Sequence, residues 1–327
     1  MKRILLSILW SLVFCHLSSQ NISDHIFAVV MSGGRNRLTN YERYWNDCAF
    51  LYSTLRQTCH IPKRNITLLM ADGDDPAADM LCSGGARFAS SPTDLDGDGQ
   101  PDLHLSATGQ NLLSTFNQLG SQLGSDDHLF VFVTDHAELS AQGDACLWLW
   151  NNEKLEARHL ASLFSQLHAG SVNVVIGTCY AGAFVSWLQG EGRVITASCA
   201  DDELSWSCPD RPYDEFVYHW TCAVAQHDEQ GHPVSSDQNG DGIITMDEAY
   251  SYARRNDRRP ESPVLVSQPL SLSASWSFSG RGMTDGMTVT AVETRQPQAY
   301  DLLGRPVGRK GASGMSVEKG RLFFKKR

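Results

Sequence analysis

The sequence has no Cys-x-x-Cys pair, no heptad pattern, no internal repeat and no low-complexity tract. The first absence removes zinc ribbons and thioredoxin-like redox motifs. The others remove coiled coils, solenoids and disordered chains. Positive charge is also short: 27 Lys+Arg stand against 37 Asp+Glu, a net charge of −10. An acidic chain is a poor electrostatic partner for a phosphate backbone, so no nucleic-acid partner is expected. Past the N-terminus no apolar run reaches the ~20 residues of a transmembrane helix, so no transmembrane segment is expected. What is present is globular composition, 42% apolar and 20% charged over 327 residues, enough for one large domain or two ordinary ones.

The N-terminus reads as a leader. Lys2-Arg3 is a basic start, Ile4 to Leu17 is mostly apolar, and Ser18-Ser19 offers small residues for cleavage. This predicts a signal peptide over 1–19 and a secreted or cell-surface location. Export permits disulfides. Among the eight cysteines past the leader, the close spacings Cys48/Cys59 and Cys199/Cys208 are candidate bridges.

Short β-branched runs then alternate with amphipathic stretches. Strands are expected at His25–Met31, Asn65–Met70, His128–Thr134, Val172–Ile176 and Val194–Ala197. Helices are expected at Tyr41–Leu55, Gln110–Leu123, Leu155–Leu167 and Tyr213–Ala225. Such alternation predicts an α/β fold, a three-layer αβα sandwich on a mostly parallel sheet, with the chemistry at the carboxyl ends of the strands. The pattern changes beyond about Gly280. The expected organisation is a main domain over 20–281, a linker over 282–298 and a small β segment over 299–327.

Two strand ends carry reactive groups. One runs into Thr134-Asp135-His136 and the next into Gly177-Thr178-Cys179. On neighbouring strands these would set an imidazole beside a thiol at a strand-to-helix turn, the minimum equipment for acyl transfer. Spacing alone carries little weight, because cysteine is among the most buried residue types.

The stretch DHLFVFVTDH, followed by VNVVIGTCYAG with the Cys 43 positions after the His, resembles the catalytic core of the legumain-like (C13) peptidases. These belong to the clan that holds the caspases. HIFAVVMSGG, NYERYWNDCAFLYSTL and VITASCADDELSWSC resemble that family's first strand, first helix and S1 wall. The resemblance implies a caspase/legumain-like domain with Cys179 as nucleophile and His136 as general base and acid. It also implies an oxyanion hole from the N–H groups of Cys179 and Ala137, and a protein or peptide substrate. The family has Gly where this chain has Ala137, and alanine dislikes positive φ. A catalytically weak homologue, acting as a calcium-dependent surface binding protein, is therefore the alternative. Arg43, Ser205 and Asp214 fall on or near S1 positions. Gly177 stands at another position that is acidic in the family, so an acidic or amide P1 side chain is expected.

Asp237-Gln238-Asn239-Gly240-Asp241-Gly242-Ile243-Ile244-Thr245-Met246-Asp247-Glu248 follows the EF-hand loop. Side-chain oxygens stand at positions 1, 3 and 5, Gly at 6, a backbone carbonyl at Ile243 and a carboxylate at 12. The cofactor expected there is Ca²⁺. Asp94, Asp96, Asp98 and Asp102 begin a second such loop, but position 12 is Leu105. The tail, YDLLGRPV followed by RLFFKKR, resembles the sorting domain of type IX secretion, which makes that machinery an expected partner.

Overall fold

A computed structural model describes residues 22–279, 315–318 and 321–324. The leader, the linker over 282–298 and the YDLLGRPV stretch lie outside these residues. The chain divides into two compact units, 1–283 and 284–327.

In chain order the first unit holds β1 (Ile26–Ser32), α1 (Glu42–Ser53), β2 (Ile66–Met70), β3 (Met80–Leu81), β4 (Phe88–Ala89) and α2 (Gly109–Gln122). There follow β5 (His128–Thr134), β6 (Ala137–Leu139), β7 (Ala145–Trp148), β8 (Lys154–Glu156), α3 (Ala157–Phe164) and β9 (Ser171–Gly177). Last come α4 (Gly182–Leu188), β10 (Arg193–Ala197), α5 (Glu215–Ala225), α6 (Met246–Asn256), β11 (Val264–Gln268) and α7 (Leu272–Ser275). Six strands form one sheet in the order β11-β10-β9-β5-β1-β2. Every pairing is parallel except β10 with β11.

Strands buried on both faces need apolar residues at every position, and β5 supplies them. Val131 and Val133 enter one core with α2, α3 and α4, while Phe130 and Phe132 enter the other with α1, α5 and α6. Each such side chain contributes roughly 1.5–3 kcal/mol when fully buried. The result is the αβα sandwich that the alternation implies. The second unit contains β12 (Met315–Glu318) and β13 (Arg321–Phe324), paired antiparallel.

Three expectations need correction. Leu155–Leu167 is not one helix, because Lys154–Glu156 pairs with β7 and helical structure starts at Ala157. The antiparallel β11 was not anticipated; it closes the edge of the sheet beyond β10. The eight described cysteines are all free. Cys48 lies within α1 and Cys59 caps the helical turn that continues it over Thr54–Thr58, so at 1.5 Å per residue the two are separated by about 16 Å, beyond disulfide reach. Cys199 faces the Thr178 and Glu203 carbonyls at 3.3 and 3.4 Å, whereas Cys208 packs with Tyr218 and Cys222 in a separate cluster.

Candidate active site

The register of β5 and β9 pairs Thr134 with Gly177, so the two carboxyl ends stop level. The Asp135 N–H donates to the Gly177 carbonyl at 3.2 Å and ties them together. His136 and Cys179 follow directly. The structure thus places the imidazole and the thiol on neighbouring strand ends.

His136 is oriented from three sides. Its Nε2 lies 3.0 Å from the Thr39 carbonyl, which can only accept, so Nε2 carries the proton and Nδ1 is the basic nitrogen. The rings of Tyr41 and Tyr44 pack edge-on against it at 5.4 and 5.3 Å. Its backbone N–H donates to Asp135 at 2.6 Å. The buried Asp135 carboxylate also accepts from Gly33 N–H, and from Gly34 N–H at 3.0 Å. Burial pushes Asp135 up to about 7 against those hydrogen bonds. Gly33 must be glycine for this approach, because a Cβ there would stand 2.5 Å from the Leu149 backbone.

The Cys179 thiol lies 3.8 Å from the Ser205 carbonyl. Burial raises its pKa, only partly opposed by that contact, and burial lowers the pKa of His136. Both shifts favour a resting pair of thiol and neutral imidazole. The next residue, Tyr180, has φ of 59°, a left-handed conformation costing about 1–2 kcal/mol for a non-glycine residue. It is held by its N–H bond to the Glu203 carbonyl at 2.7 Å. Among the described residues the Cys179 N–H has no acceptor.

The S1 candidates converge as well. Arg43 Nε donates to Asp214 at 2.7 Å, and its guanidinium lies over Tyr41 and Tyr44 at 4.2 and 4.5 Å. Ser205 borders the thiol through its carbonyl. Gly177 leaves no space for an acidic side chain: a Cβ would meet Val217 at 2.4 Å. The second carboxyl group comes from α1 instead. Asp47 is buried, and Thr134 Oγ1 lies 2.9 Å from it and 3.2 Å from Asp214.

Residues 106–260 match the model of the Peptidase C13 family. That stretch carries both strand ends and is similar to the legumain-like peptidases. The match supports a cysteine peptidase of the legumain type. No curated protein matches the chain at a significant level. Sequence reasoning passed over Thr39, Asp47, Thr134 and Asp135 in this legumain-like site. Asp47 was findable, one helical turn from Arg43 on the same face. Thr39 acts through its backbone and leaves no side-chain signal.

The two acidic loops share a scaffold. Asp237 accepts from Gly240 and Gly242 N–H at 2.7 and 2.9 Å, and Asp94 accepts from Gly97 and Gly99 at 2.8 and 2.9 Å. Asn239 and Asp241 each accept from the N–H two residues on, as do Asp96 and Asp98. Their completing carboxylates differ. Glu248 forms a capping box with Thr245 on α6 and also accepts from Gln238 N–H at 3.0 Å. In the other loop Asp102, at position 9, turns inward. Asp94, Asp96 and Asp102 bring ligand atoms within 4.8 Å of one another, and Asp237, Asp241 and Glu248 are not so gathered among the described residues. Lys63 Nζ also reaches Asp102, at 2.6 Å.

Proposed function

We propose that the chain is an active, secreted cysteine endopeptidase working through an acyl-enzyme. His136 Nδ1 takes the thiol proton as Sγ attacks the scissile carbonyl carbon. The developing oxyanion accepts from the N–H groups of Cys179 and Ala137. The intermediate collapses when His136 passes its proton to the leaving amine, and water then hydrolyses the thioester with His136 as base. Losing one oxyanion donor typically costs ~10²–10³ in rate. The observation that carries the reading is the level juxtaposition of His136 and Cys179, with the Cys179 N–H left unsatisfied beside them.

Ala137 supports activity over an inactive binding homologue. It lies in β6 and is not among the residues with positive φ, so the alanine is unstrained where the family has glycine.

Arg43, charge-paired with Asp214, favours an amide or acidic P1 side chain. Both loops are read as Ca²⁺ sites that brace the fold: oxygen-only donors suit a hard cation, and each loop carboxylate has at least one oxygen that accepts no more than one hydrogen bond. Glu248 would leave its capping role to complete the first loop, and Asp102 would complete the second. The leader and the tail support export, with the type IX machinery as partner. Labelling by a peptidyl acyloxymethyl ketone, followed by a peptide-library cleavage profile with and without EDTA, tests the reading. A Cys179 that takes no label in folded protein would overturn it.

A further inference from the structure

β6 is the outer strand of a three-stranded sheet ordered β6-β7-β8 and starts directly after His136. Trp148 N–H donates to the His136 carbonyl at 3.1 Å, and Ser140 N–H to the Asp144 carbonyl at 2.8 Å. Bonded and non-bonded pairs alternate along an antiparallel ladder. The His136 carbonyl, both backbone groups of Glu138 and the Ser140 N–H are therefore directed at β7. Ala137 and Leu139 turn theirs to the open edge, where they meet no other hydrogen-bond partner among the described residues. The side chains of Ala137 and Leu139 pack on the core of α2, α3 and α4, which fixes the edge in place.

From this geometry we propose that the open edge of β6 is a subsite for the polypeptide downstream of the scissile bond, which it takes as an added strand. The inference rests on the peptidase reading. β10 and β5 flank β9 on opposite sides; the segment 203–207, which follows β10, borders the thiol through the Ser205 carbonyl, and β6 departs from the end of β5. A substrate bound across both has its acyl part by Ser205 and its leaving part by β6. The register is determined. If Ala137 N–H receives the P1 oxygen, a chain continuing along β6 runs parallel to it. The P2′ N–H then donates to the Ala137 carbonyl, and the P2′ carbonyl accepts from Leu139 N–H. Main-chain pairing supplies affinity without demanding a side chain, so this subsite accepts most leaving sequences.

The test uses the full-length protein and peptides cut at one bond. N-methylation at the P2′ nitrogen should lower kcat/KM about tenfold, the scale of one lost hydrogen bond, while N-methylation at P3′, which faces away, changes it less than about twofold. Leu139→Pro removes an N–H that β7 does not use, at an edge position where proline is tolerated. It should bring the kcat/KM ratio between peptides extended through P3′ and peptides ending at P1′ close to one. Equal effects of the two N-methyl groups on peptides that are cut, or an unchanged ratio in Leu139→Pro, would overturn the proposal. Absence of both cleavage and Cys179 labelling would instead overturn the peptidase reading, and this inference with it.

Discussion

The Thr134 hydroxyl lies 2.9 Å from a carboxyl oxygen of Asp47. The same hydroxyl is 3.2 Å from Asp214, and its single hydrogen can serve only one of them. Burial raises the pKa of Asp47 well above the usual carboxylate range, with the Asp214 charge adding to the rise. We predict that Asp47 is the neutral acid of the pair, which would let it donate to Thr134 while Thr134 donates to Asp214, the partner of Arg43. An acid whose pKa is raised on folding gives stability that is full below its unfolded value, ~3.9, and is lost as pH rises through the folded value. Asp47→Asn should fold, keep activity and flatten the fall in Tm with rising pH. Asp47→Ala should raise KM by an order of magnitude or so. A Tm–pH curve identical in wild type and Asp47→Asn would refute the protonated state.

Cys179→Ala should abolish hydrolysis and probe labelling while leaving circular dichroism and Tm nearly unchanged, since the thiol is only half-buried. Loss of activity at another cysteine in folded protein, with Cys179→Ala still active, would remove the assignment.

For Ala137→Gly, the departure from the family pattern by itself predicts a faster enzyme. The extended conformation of Ala137 predicts otherwise. The variant should show no gain in kcat and lose about 0.5–1 kcal/mol of stability, because glycine loosens an edge strand already in the right shape. Steady-state kinetics and urea denaturation decide between the two.

Chelation should lower Tm and weaken substrate binding while leaving Cys179 reactive toward the probe in protein that stays folded. A ligand bound only by the native state stabilises it by about 2.7 kcal/mol at a hundredfold excess over Kd. Glu248→Gln and Asp102→Asn should each reproduce part of the effect. An unchanged Tm in EDTA would mean that both loops are bare Asx turns.

The sheet was legible because its strands are buried on both faces. His128–Thr134 is apolar from Leu129 to Val133, and such a run fits few alternatives. β6, β7 and β8 are short, and strands of three or four residues leave no periodicity to read. Arg43, Asp214, His136 and Cys179 were visible as residues matching a pattern. Thr39 and the Ala137 edge work through backbone atoms that every residue has, so only the fold reveals them. The position 9 carboxylate, Asp102, was visible in the sequence, but its inward turn depends on Tyr52, which donates to it at 2.7 Å from another element.

Phe130 and Val131 are adjacent in the chain yet belong to different cores. Arg43, Asp47 and Asp214 stand on the side of Phe130, and β6 on the side of Val131. In a peptidase built as proposed, selection could therefore retune what is read before the cut and what is read after it through separate sets of substitutions. A lineage could change its preferred P1 residue by repacking α1 and α5 while its tolerance toward leaving sequences stayed as it was.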